Sequence, residues 1–394
     1  MVQMSSIENR KSGLEIRVFT SQSEVETLRP QWQALQASTR FDPNAHIDHF
    51  LTVVQHFPRS AKPVCIAASR NGILEALIVA RIAAKSLECR IGYLRPLRID
   101  VTTLSVITGG VLVASTFSGW KELAESLHAI TRAQRIDRIA LDTIDPNSPL
   151  LVALQRCNPK TIRDKYPRIQ KHWVIDLPDS FDQWEKELPK RLRKEILRRE
   201  KNLQTQFGSH HEIKVFTSVD QLTELLDLTE RIAATTYQRG LGVSFVKDDL
   251  TLHRFRLAAQ LGWLTSFVLV VDGKPIAYQL GFTIKQTLFV QGKGYVPEYR
   301  KFAPGTLLFY HAMRTAMNEF SIRRWDFGIG DAAYKQDFGT SFEHEVSLNF
   351  FSPTLRGVAL GTLWNATRGI SRMLEKTLAT TGFLDSAKRT WRRT

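Results

Sequence analysis

The heptapeptide EIRVFTS at residues 15–21 returns as EIKVFTS at residues 212–218, an offset of 197 residues in a chain of 394. Each copy is strand-like and is followed by a helical segment, SEVETLRPQWQALQ in the first half and VDQLTELLDLTERIAATTYQ in the second. Because the offset is half of the chain, it predicts a duplicated unit. It is far longer than the period of a solenoid repeat, about 20–50 residues.

The elements after each heptapeptide come in a closely similar order. In the first half, strand-like runs at KPVCIAAS, ILEALIVARIAA, CRIGYL and VTTLSVITGGVLV precede the helix GWKELAESLHAITRAQ and the strand RIALDTI. In the second half, TSFVLVV, IAYQLGFTI and TLFVQGKGYV predict a meander before the helix GTLLFYHAMRTAMNEF and the strand RRWDFG. The sequence therefore predicts an α/β fold of tandem domains, each a mixed, largely antiparallel sheet flanked by helices. We expect domains at 1–165 and 166–352 and a C-terminal helix at 353–394.

Composition favours a globular protein and indicates an anionic ligand. The chain is 43% apolar and 24% charged, and its net charge is +15. It has no apolar run of about 20 residues for a membrane span and no signal-peptide core at its start, so we expect a cytoplasmic protein. Cys65, Cys89 and Cys157 have no metal-ligand spacing, and we expect no metal. A positive field of this size attracts a nucleotide cofactor, a carrier protein, RNA or a membrane.

The positive charge is concentrated in two segments. A basic connecting helix is predicted at 184–204, with eight Lys and Arg against four Glu. The other segment begins at Thr354 and reads as a basic amphipathic helix. Its apolar positions are Leu355, Val358, Leu363, Ile370, Leu374 and Leu378. Such a helix packs on its own domain or lies on anionic lipid at the inner face of a membrane.

The segment YVPEYRKFAPGTLL (295–308) predicts a strand end, a loop and a helix that begins near Gly305. A helix start offers unpaired N–H groups and a partial positive charge, which suits a pyrophosphate. Pro304 pre-sets the backbone for the helix, Gly305 allows close approach, and Thr306 follows in the first turn. Arg300 and Lys301 add positive charge. The alternative is an ordinary Pro-Gly helix start beside solvated basic residues.

The segment RRWDFGIGDAAYKQDF (323–338) holds the candidates for chemistry. Acyl transfer to an amine needs a proton acceptor and a donor that stabilises the developing oxyanion. Asp326 and Asp331 are the candidate bases, and the Lys335 ammonium is a candidate oxyanion donor. Tyr334 packs under the cofactor or donates a proton. The structural alternatives are a strand-ending turn for Asp326 and a surface charge for Lys335.

Together these motifs resemble a known family. RKFAPGT resembles the pyrophosphate loop of the GNAT acetyltransferases, and YVPEYRKFAPGTLL followed by RWDFGIGDAAYKQDFG is similar to their cellulose-biosynthesis-associated branch. That branch is related to the Fem-type aminoacyl transferases, which also carry two such domains. The resemblance is close over residues 290–340. It implies that tandem GNAT-like domains use acetyl-CoA or another acyl-CoA, and that Lys335, in the Tyr-Lys position of the Fem-type enzymes, acts at the acyl group.

The two halves differ at the predicted cofactor loop. The first half has VLVASTFSG (111–119), which keeps Gly119 but has no basic residue, so we expect a structural or substrate-side role there. Tyr237 and Gln238 end a helix before a loop, where they line an acceptor pocket or pack in the core. We expect an acyl-CoA-dependent N-acyltransferase acting on the amine of a sugar or metabolite. The alternatives are an aminoacyl-tRNA-dependent transferase and a non-catalytic binding protein of polysaccharide or envelope machinery.

Overall fold

The computed structural model describes most of the chain. The described residues are 7–9, 13–57, 60–91, 94–159, 162–208, 211–236, 239 and 244–380. They form two compact units, the first within Met1–Ile169 and Glu345–Thr394 and the second within Gln170–His344. Among the described residues, no helix is both long enough and apolar enough to cross a membrane.

Strands and helices alternate along the chain. The strands are β1 (Ile7–Asn9), β2 (Leu14–Phe19), β3 (Ala61–Arg70), β4 (Ile73–Ile91), β5 (Leu94–Val113), β6 (Arg138–Ile144), β7 (Arg168–Asp176), β8 (His211–Phe216), β9 (Ser266–Val271), β10 (Lys274–Ile284), β11 (Thr287–Tyr295), β12 (Arg324–Ile329) and β13 (Ser341–Phe351). The helices are α1 (Gln22–Thr27), α2 (Arg29–Ser38), α3 (Ile47–His56), α4 (Trp120–Ala133), α5 (Pro149–Cys157), α6 (Phe181–Glu187), α7 (Lys190–Phe207), α8 (Leu222–Ala234), α9 (Asp249–Gln260), α10 (Pro304–Glu319), α11 (Ala333–Phe338) and α12 (Leu355–Thr380).

Apart from β1, an additional edge strand of the first unit, the two units have the same internal strand order. In the first unit the order is β1-β2-β3-β4-β5-β6-β13, and in the second it is β8-β9-β10-β11-β12-β7. All described neighbours within each unit pair antiparallel except β5 with β6 and β11 with β12, which are parallel. In both units a helix, α4 or α10, connects the two parallel strands. The predicted tandem α/β fold with largely antiparallel sheets is therefore confirmed.

The units divide the chain differently from the predicted segments 1–165, 166–352 and 353–394. Strand β13 pairs with β6 through Val346–Phe351, so the chain returns to the first unit at Glu345. Helix α12 belongs to that unit as well, because Leu360 packs with Leu87 and Phe351. Strand pairing across large sequence separations decides these boundaries, and composition carries no signal of it.

Two predicted elements also differ in extent. The predicted strand CRIGYL is not separate, because Cys89–Ile91 continue β4 in a long hairpin with β5. The predicted helix at 184–204 is two helices, α6 and α7, which meet at Pro189. Proline has no backbone N–H to donate and disfavours helical geometry in the residue before it, so the chain turns there.

The sheet of the second unit has an apolar core on each face. On one face α6, α7 and α10 pack through residues such as Trp184 and Met313. On the other face α8 and α9 pack through residues such as Leu226 and Phe255. Strand β12 contributes Trp325 and Phe327 to the first core. Asp326, which lies between them, points to the opposite face, as strand alternation predicts.

Candidate functional site

Helix α10 starts with the geometry that the Pro-Gly motif predicts. Ala303 caps it in the left-handed conformation, with φ of 51° and ψ of 52°, and Pro304 takes the first helical position. The Ala303 carbonyl accepts hydrogen bonds from the N–H groups of Thr306 at 2.9 Å and Leu307 at 3.1 Å. The Gly305 N–H has no acceptor among the described residues. This N–H therefore remains available to an anionic ligand at the positive end of the helix.

The basic residues before the helix are in different environments. Arg300 is exposed, and within the described residues its guanidinium makes no hydrogen bond or ion pair. The Nζ of Lys301 donates to Gln206 at 3.1 Å, and the Lys301 carbonyl accepts a hydrogen bond from Arg199. Both of these partners belong to α7. Helix α7 thus holds the loop before α10 in place. Arg300, in the same loop, is a cation that is available to a ligand.

Gly305 leaves open space above the start of the helix. A Cβ built at this position would meet only Cδ1 of Tyr295, at 3.7 Å, which is an ordinary van der Waals distance. The fold therefore does not need glycine here for its own packing. A glycine at this place suits the close approach of a ligand to the main chain.

Strands β11 and β12 separate beside this helix. Their parallel pairing covers only Thr287–Phe289 with Arg324–Asp326, and β11 continues to Tyr295 along β10. A bulge at Gln291 lies in the continuing part, because Gly292 pairs with Leu280 and Val290 with Gly281. The result is an opening between two parallel strands near the start of α10.

Lys335 is buried, with 5% of its surface exposed, so it is not a surface charge. Its Nζ donates to the carbonyl oxygens of Phe327 at 2.9 Å, Gly328 at 2.8 Å and Ile329 at 2.7 Å. Gly328 and Gly330 have φ of 66° and 106°, which lets the chain wrap around the ammonium group. Burial lowers the pKa of Lys335 to about 8, while the charges of Asp326 and Asp331 act against this shift.

Asp326 is paired with a histidine that the sequence did not single out. The carboxylate accepts hydrogen bonds from Nε2 of His172 at 2.6 Å and from the Gly328 N–H at 2.8 Å. His172 lies in β7, directly beside β12, and its side chain is 20% exposed. A carboxylate that orients an imidazole forms a common general-base pair. Its sequence signal is a single histidine in the strand-like segment HWVID (172–176).

Asp331 is exposed and held by three donors. It accepts hydrogen bonds from Nε1 of Trp173 at 3.2 Å and Nε2 of Gln336 at 2.8 Å, and pairs with Lys171 at 3.3 Å. The hydrogen bond from Gln336 is the main cause of the lowered pKa of Asp331, and Lys171 adds to it. A lower pKa makes this carboxylate a weaker proton acceptor. Asp326, together with His172, is the better placed of the two predicted bases.

Tyr334 packs at the same opening. Its ring meets Phe327 edge-on at 5.6 Å between centroids, and burial raises its pKa to about 12. The Nζ of Lys293, from β11, lies over the face of this ring. Lys293 and Tyr334 thus connect the two sides of the opening.

A cavity of about 360 Å³ lies on the α8 and α9 side of the sheet. Its walls are formed by α9, by the segment before it, and by β10 and β11. Phe245, Arg254, Tyr278, Gln291 and Lys293 are among the lining residues. Lys293 lines this cavity, and its Nζ also lies over the ring of Tyr334 at the opening. The sequence signal for Lys293 is its position between Gly292 and Gly294 in a strand. Glycine within a strand marks a bulge or a close approach of another group.

Two predicted site residues, Tyr237 and Gln238, lie outside the described residues. The others all lie in the second unit. The helix start and the loop before it contain Arg300, Lys301, Pro304, Gly305 and Thr306. Asp326 lies in β12, Asp331 follows that strand, and Tyr334 and Lys335 lie in α11. In the described part of the chain, no cluster of His, Cys, Asp and Glu is arranged to hold a metal ion.

The fold is an α/β fold in which two parallel strands pair over a short stretch near an open helix start. Residues 190–336 match the family model described as an acetyltransferase (GNAT) domain. The second unit therefore contains a GNAT-type acetyltransferase domain, which supports an acyltransferase. No curated protein matches the chain by sequence.

Solved structures show the same fold at low sequence identity. FemX is 12% identical with a TM-score of 0.53, over 80% of this chain and 95% of its own. A conserved protein of unknown function from Bacteroides thetaiotaomicron is 10% identical with a TM-score of 0.52, over 85% of this chain and 100% of its own. The C-terminal domain of a protein from Agrobacterium fabrum, described as a lysylphosphatidylglycerol synthetase, is 12% identical with a TM-score of 0.51. It covers 88% of this chain and 96% of its own. The chain is thus related in fold to Fem-type proteins.

Proposed function

We propose that the second unit binds acyl-CoA and transfers its acyl group to an amine of a sugar or another metabolite. The supporting observation is the open start of α10, where Gly305 has a free N–H and Arg300 has no partner among the described residues. The diphosphate of CoA would bind Arg300, Gly305 and Thr306, and the acyl arm would enter the opening between β11 and β12. Bound acyl-CoA supplies an activated thioester.

The residues around the opening would have the other roles that acyl transfer needs. Asp326 and His172 form a pair that can take a proton, and the buried Lys335 holds the turn after β12. We retain the prediction that Lys335 acts at the acyl carbonyl. To donate to an oxyanion, it would exchange one of its three carbonyl partners for the substrate. Holding donor and acceptor together in one complex would supply a large part of the rate enhancement.

A thermal-shift titration with CoA and acetyl-CoA tests the donor. We expect both to stabilise the wild-type protein and Gly305→Val to lose this stabilisation, because the valine side chain would occupy the space of the diphosphate. The variant should fold normally, since a Cβ at 305 has only an ordinary contact. A Gly305→Val protein that binds CoA as the wild type does would place the donor elsewhere.

A second candidate donor is aminoacyl-tRNA, and the basic surface of α7 favours it. Lys190, Lys194, Arg198 and Lys201 are exposed along this helix, at spacings that place them on one stripe. A positive stripe of this kind binds nucleic acid through its phosphates. Stabilisation by charged tRNA and not by acetyl-CoA, lost in Lys194→Glu but kept in Gly305→Val, would favour this donor.

Contact of the protein with a membrane surface is also a proposal. The +15 charge and the apolar residues exposed on α12, among them Leu355 and Met373, support contact with an anionic membrane. Sedimentation with vesicles that contain anionic lipid, compared with neutral vesicles, tests this contact.

A further inference from the structure

Lys293 has an environment that the proposed donor site does not explain. It is half-buried, and its amine makes no hydrogen bond or ion pair within the described residues. Two nearby lysines that are also buried or half-buried have such partners: Lys335 donates to three carbonyls, and Lys171 pairs with Asp331. Burying an ammonium without a hydrogen bond or an ion pair is costly, and this cost favours the neutral amine.

The groups that face Lys293 act on its charge in opposite directions. The ring face of Tyr334 attracts a cation, whereas Lys335 brings a second positive charge from α11. Arg254 from α9 and Tyr278 from β10 line the same cavity, together with Asp248 at the cap of α9. The Asp248 carboxylate accepts a hydrogen bond from the Thr251 N–H at 2.8 Å. Burial lowers the pKa of Lys293 well below its usual range, and the charge of Lys335 lowers it further.

The cavity beside Lys293 has the size and lining of a small-molecule site. Its aromatic walls are Phe245 and Phe255. Its polar groups include Arg254 and Gln291, which are joined by a hydrogen bond of 3.3 Å. An arginine and an amide bind hydroxyl or carboxylate groups, and aromatic rings pack against the carbon skeleton. These walls suit a primary amine that also carries hydroxyl or carboxylate groups, as an amino sugar or an amino acid does.

We propose that this cavity is the acceptor site and that Lys293, in place of the Asp326–His172 pair, is the base that takes the proton of the attacking amine, because Lys293 is among the residues that line the cavity and that pair is not. The inference rests on the proposed function and deepens it. The amine nitrogen forms the new C–N bond to the thioester carbonyl carbon, and the C–S bond breaks with its electron pair on sulfur. The nitrogen gives its proton to the Lys293 amine, which becomes an ammonium. That proton then passes to the thiolate or to water, which restores the neutral lysine.

Chemical labelling tests the state of Lys293 without any knowledge of the acceptor. The full-length protein would be labelled with trace acetic anhydride between pH 6 and pH 11, and the peptides quantified by mass spectrometry. Exposed Lys274, in β10 of the same unit, is the internal reference. We expect Lys293 to reach half of its maximal labelling rate at a lower pH than Lys274. Labelling parallel to that of Lys274, or no labelling at any pH, would overturn the proposal.

Two variants test the role of the amine as a base. Lys293→Met keeps the length of the side chain, and Lys293→Arg keeps a cation that stays charged. Loss of a general base costs roughly 100-fold or more in rate. With acetyl-CoA as donor and water, glucosamine or glycine as acceptor, we expect both variants to lose the thioester about 100-fold more slowly than the wild type. The wild-type rate should rise with pH through the pKa of Lys293, and this rise should vanish in Lys293→Met.

The outcomes separate the two proposals. Both variants should keep the thermal shift that CoA gives to the wild type, because the diphosphate site is in another loop. If the wild type shows no such shift, the donor proposal fails, while the labelling curve still reports on Lys293. A Lys293→Met protein with wild-type turnover overturns the role of Lys293 alone. The role of Lys293 is also overturned if the wild type binds CoA but never consumes the thioester. A base already in place would activate water as well, so slow hydrolysis should be seen.

Discussion

The starts of α4 and α10 are equivalent positions in the two units, yet their surroundings are opposite. At α4, a Cβ built on Gly119 would lie 2.3 Å from Cδ2 of Leu14 and 3.0 Å from Cζ of Phe117. At α10, the Cβ of Gly305 would meet a single atom at 3.7 Å. The first glycine is therefore explained by core packing and the second by open space. A glycine shared by two repeats can thus have a structural role in one and a binding role in the other.

Strands β5 and β11, which precede α4 and α10, also differ in how far side chains fill the space beside them. After its bulge, β11 continues as Gly292-Lys293-Gly294, next to the cavity. The corresponding part of β5, Val111–Val113, is apolar, and Leu112 is buried in the core that contains Trp32. The first unit therefore fills with side chains the region that the second unit leaves open. This supports one donor site per chain, in the second unit.

The largest effect that we expect comes from Lys335→Met. Three carbonyls would lose their donor, which costs about 1–3 kcal/mol of unfolding free energy when such groups stay buried. If Lys335 also donates to the oxyanion, the rate of acyl transfer should fall about 100-fold or more. Chemical denaturation and thioester consumption measure the two effects separately. CoA affinity should change far less, because Arg300 and Gly305 lie in another loop.

Lys335→Arg is the matched control, because it keeps a cationic donor for the turn after β12. Recovery of stability without recovery of rate would indicate a direct role of the ammonium at the substrate. Lys335→Met with a wild-type rate and a lowered stability would reduce Lys335 to a structural residue.

Gly119→Val tests the equivalent glycine in the first unit. The added side chain would displace Leu14 and Phe117, and overpacking of this kind costs about 1–3 kcal/mol. We expect a lower melting temperature with an unchanged stabilisation by CoA, the reverse of Gly305→Val. A Gly119→Val protein with normal stability and no CoA binding would move the donor site to the first unit.

Arg300→Ala should weaken CoA binding about tenfold, as expected for the loss of a charge-assisted hydrogen bond to phosphate. Isothermal titration calorimetry at low salt measures this change. Arg256→Ala, in α9, is the control, because Arg256 is also exposed and has no ion pair within the described residues. Equal weakening by both substitutions would indicate a general effect of net charge instead of a contact.

The sequence predicted the parts of the site that depend on local rules. The helix start at Pro304 follows from backbone geometry, and the alternation of Trp325, Asp326 and Phe327 follows from the strand. It did not predict the His172–Asp326 pair, which arises from the antiparallel pairing of β7 with β12 across about 150 residues. Nor did it predict the environment of Lys293, which depends on side chains from α9, α11 and β10. Long-range strand pairing leaves no signal in composition or spacing.

The last expected effect concerns the pH dependence of stability. Burial lowers the pKa of Lys335 in the folded protein to about 8, and a free lysine titrates near pH 10.4. Between these values the unfolded chain binds more protons than the folded protein, so the free energy of unfolding rises with pH in this window. We therefore expect the stability of the wild type to increase relative to Lys335→Met as the pH is raised from about 8 to 10. Urea denaturation of both proteins at several pH values measures the difference. A constant difference would mean that the three carbonyls of the turn hold the ammonium charged throughout this range.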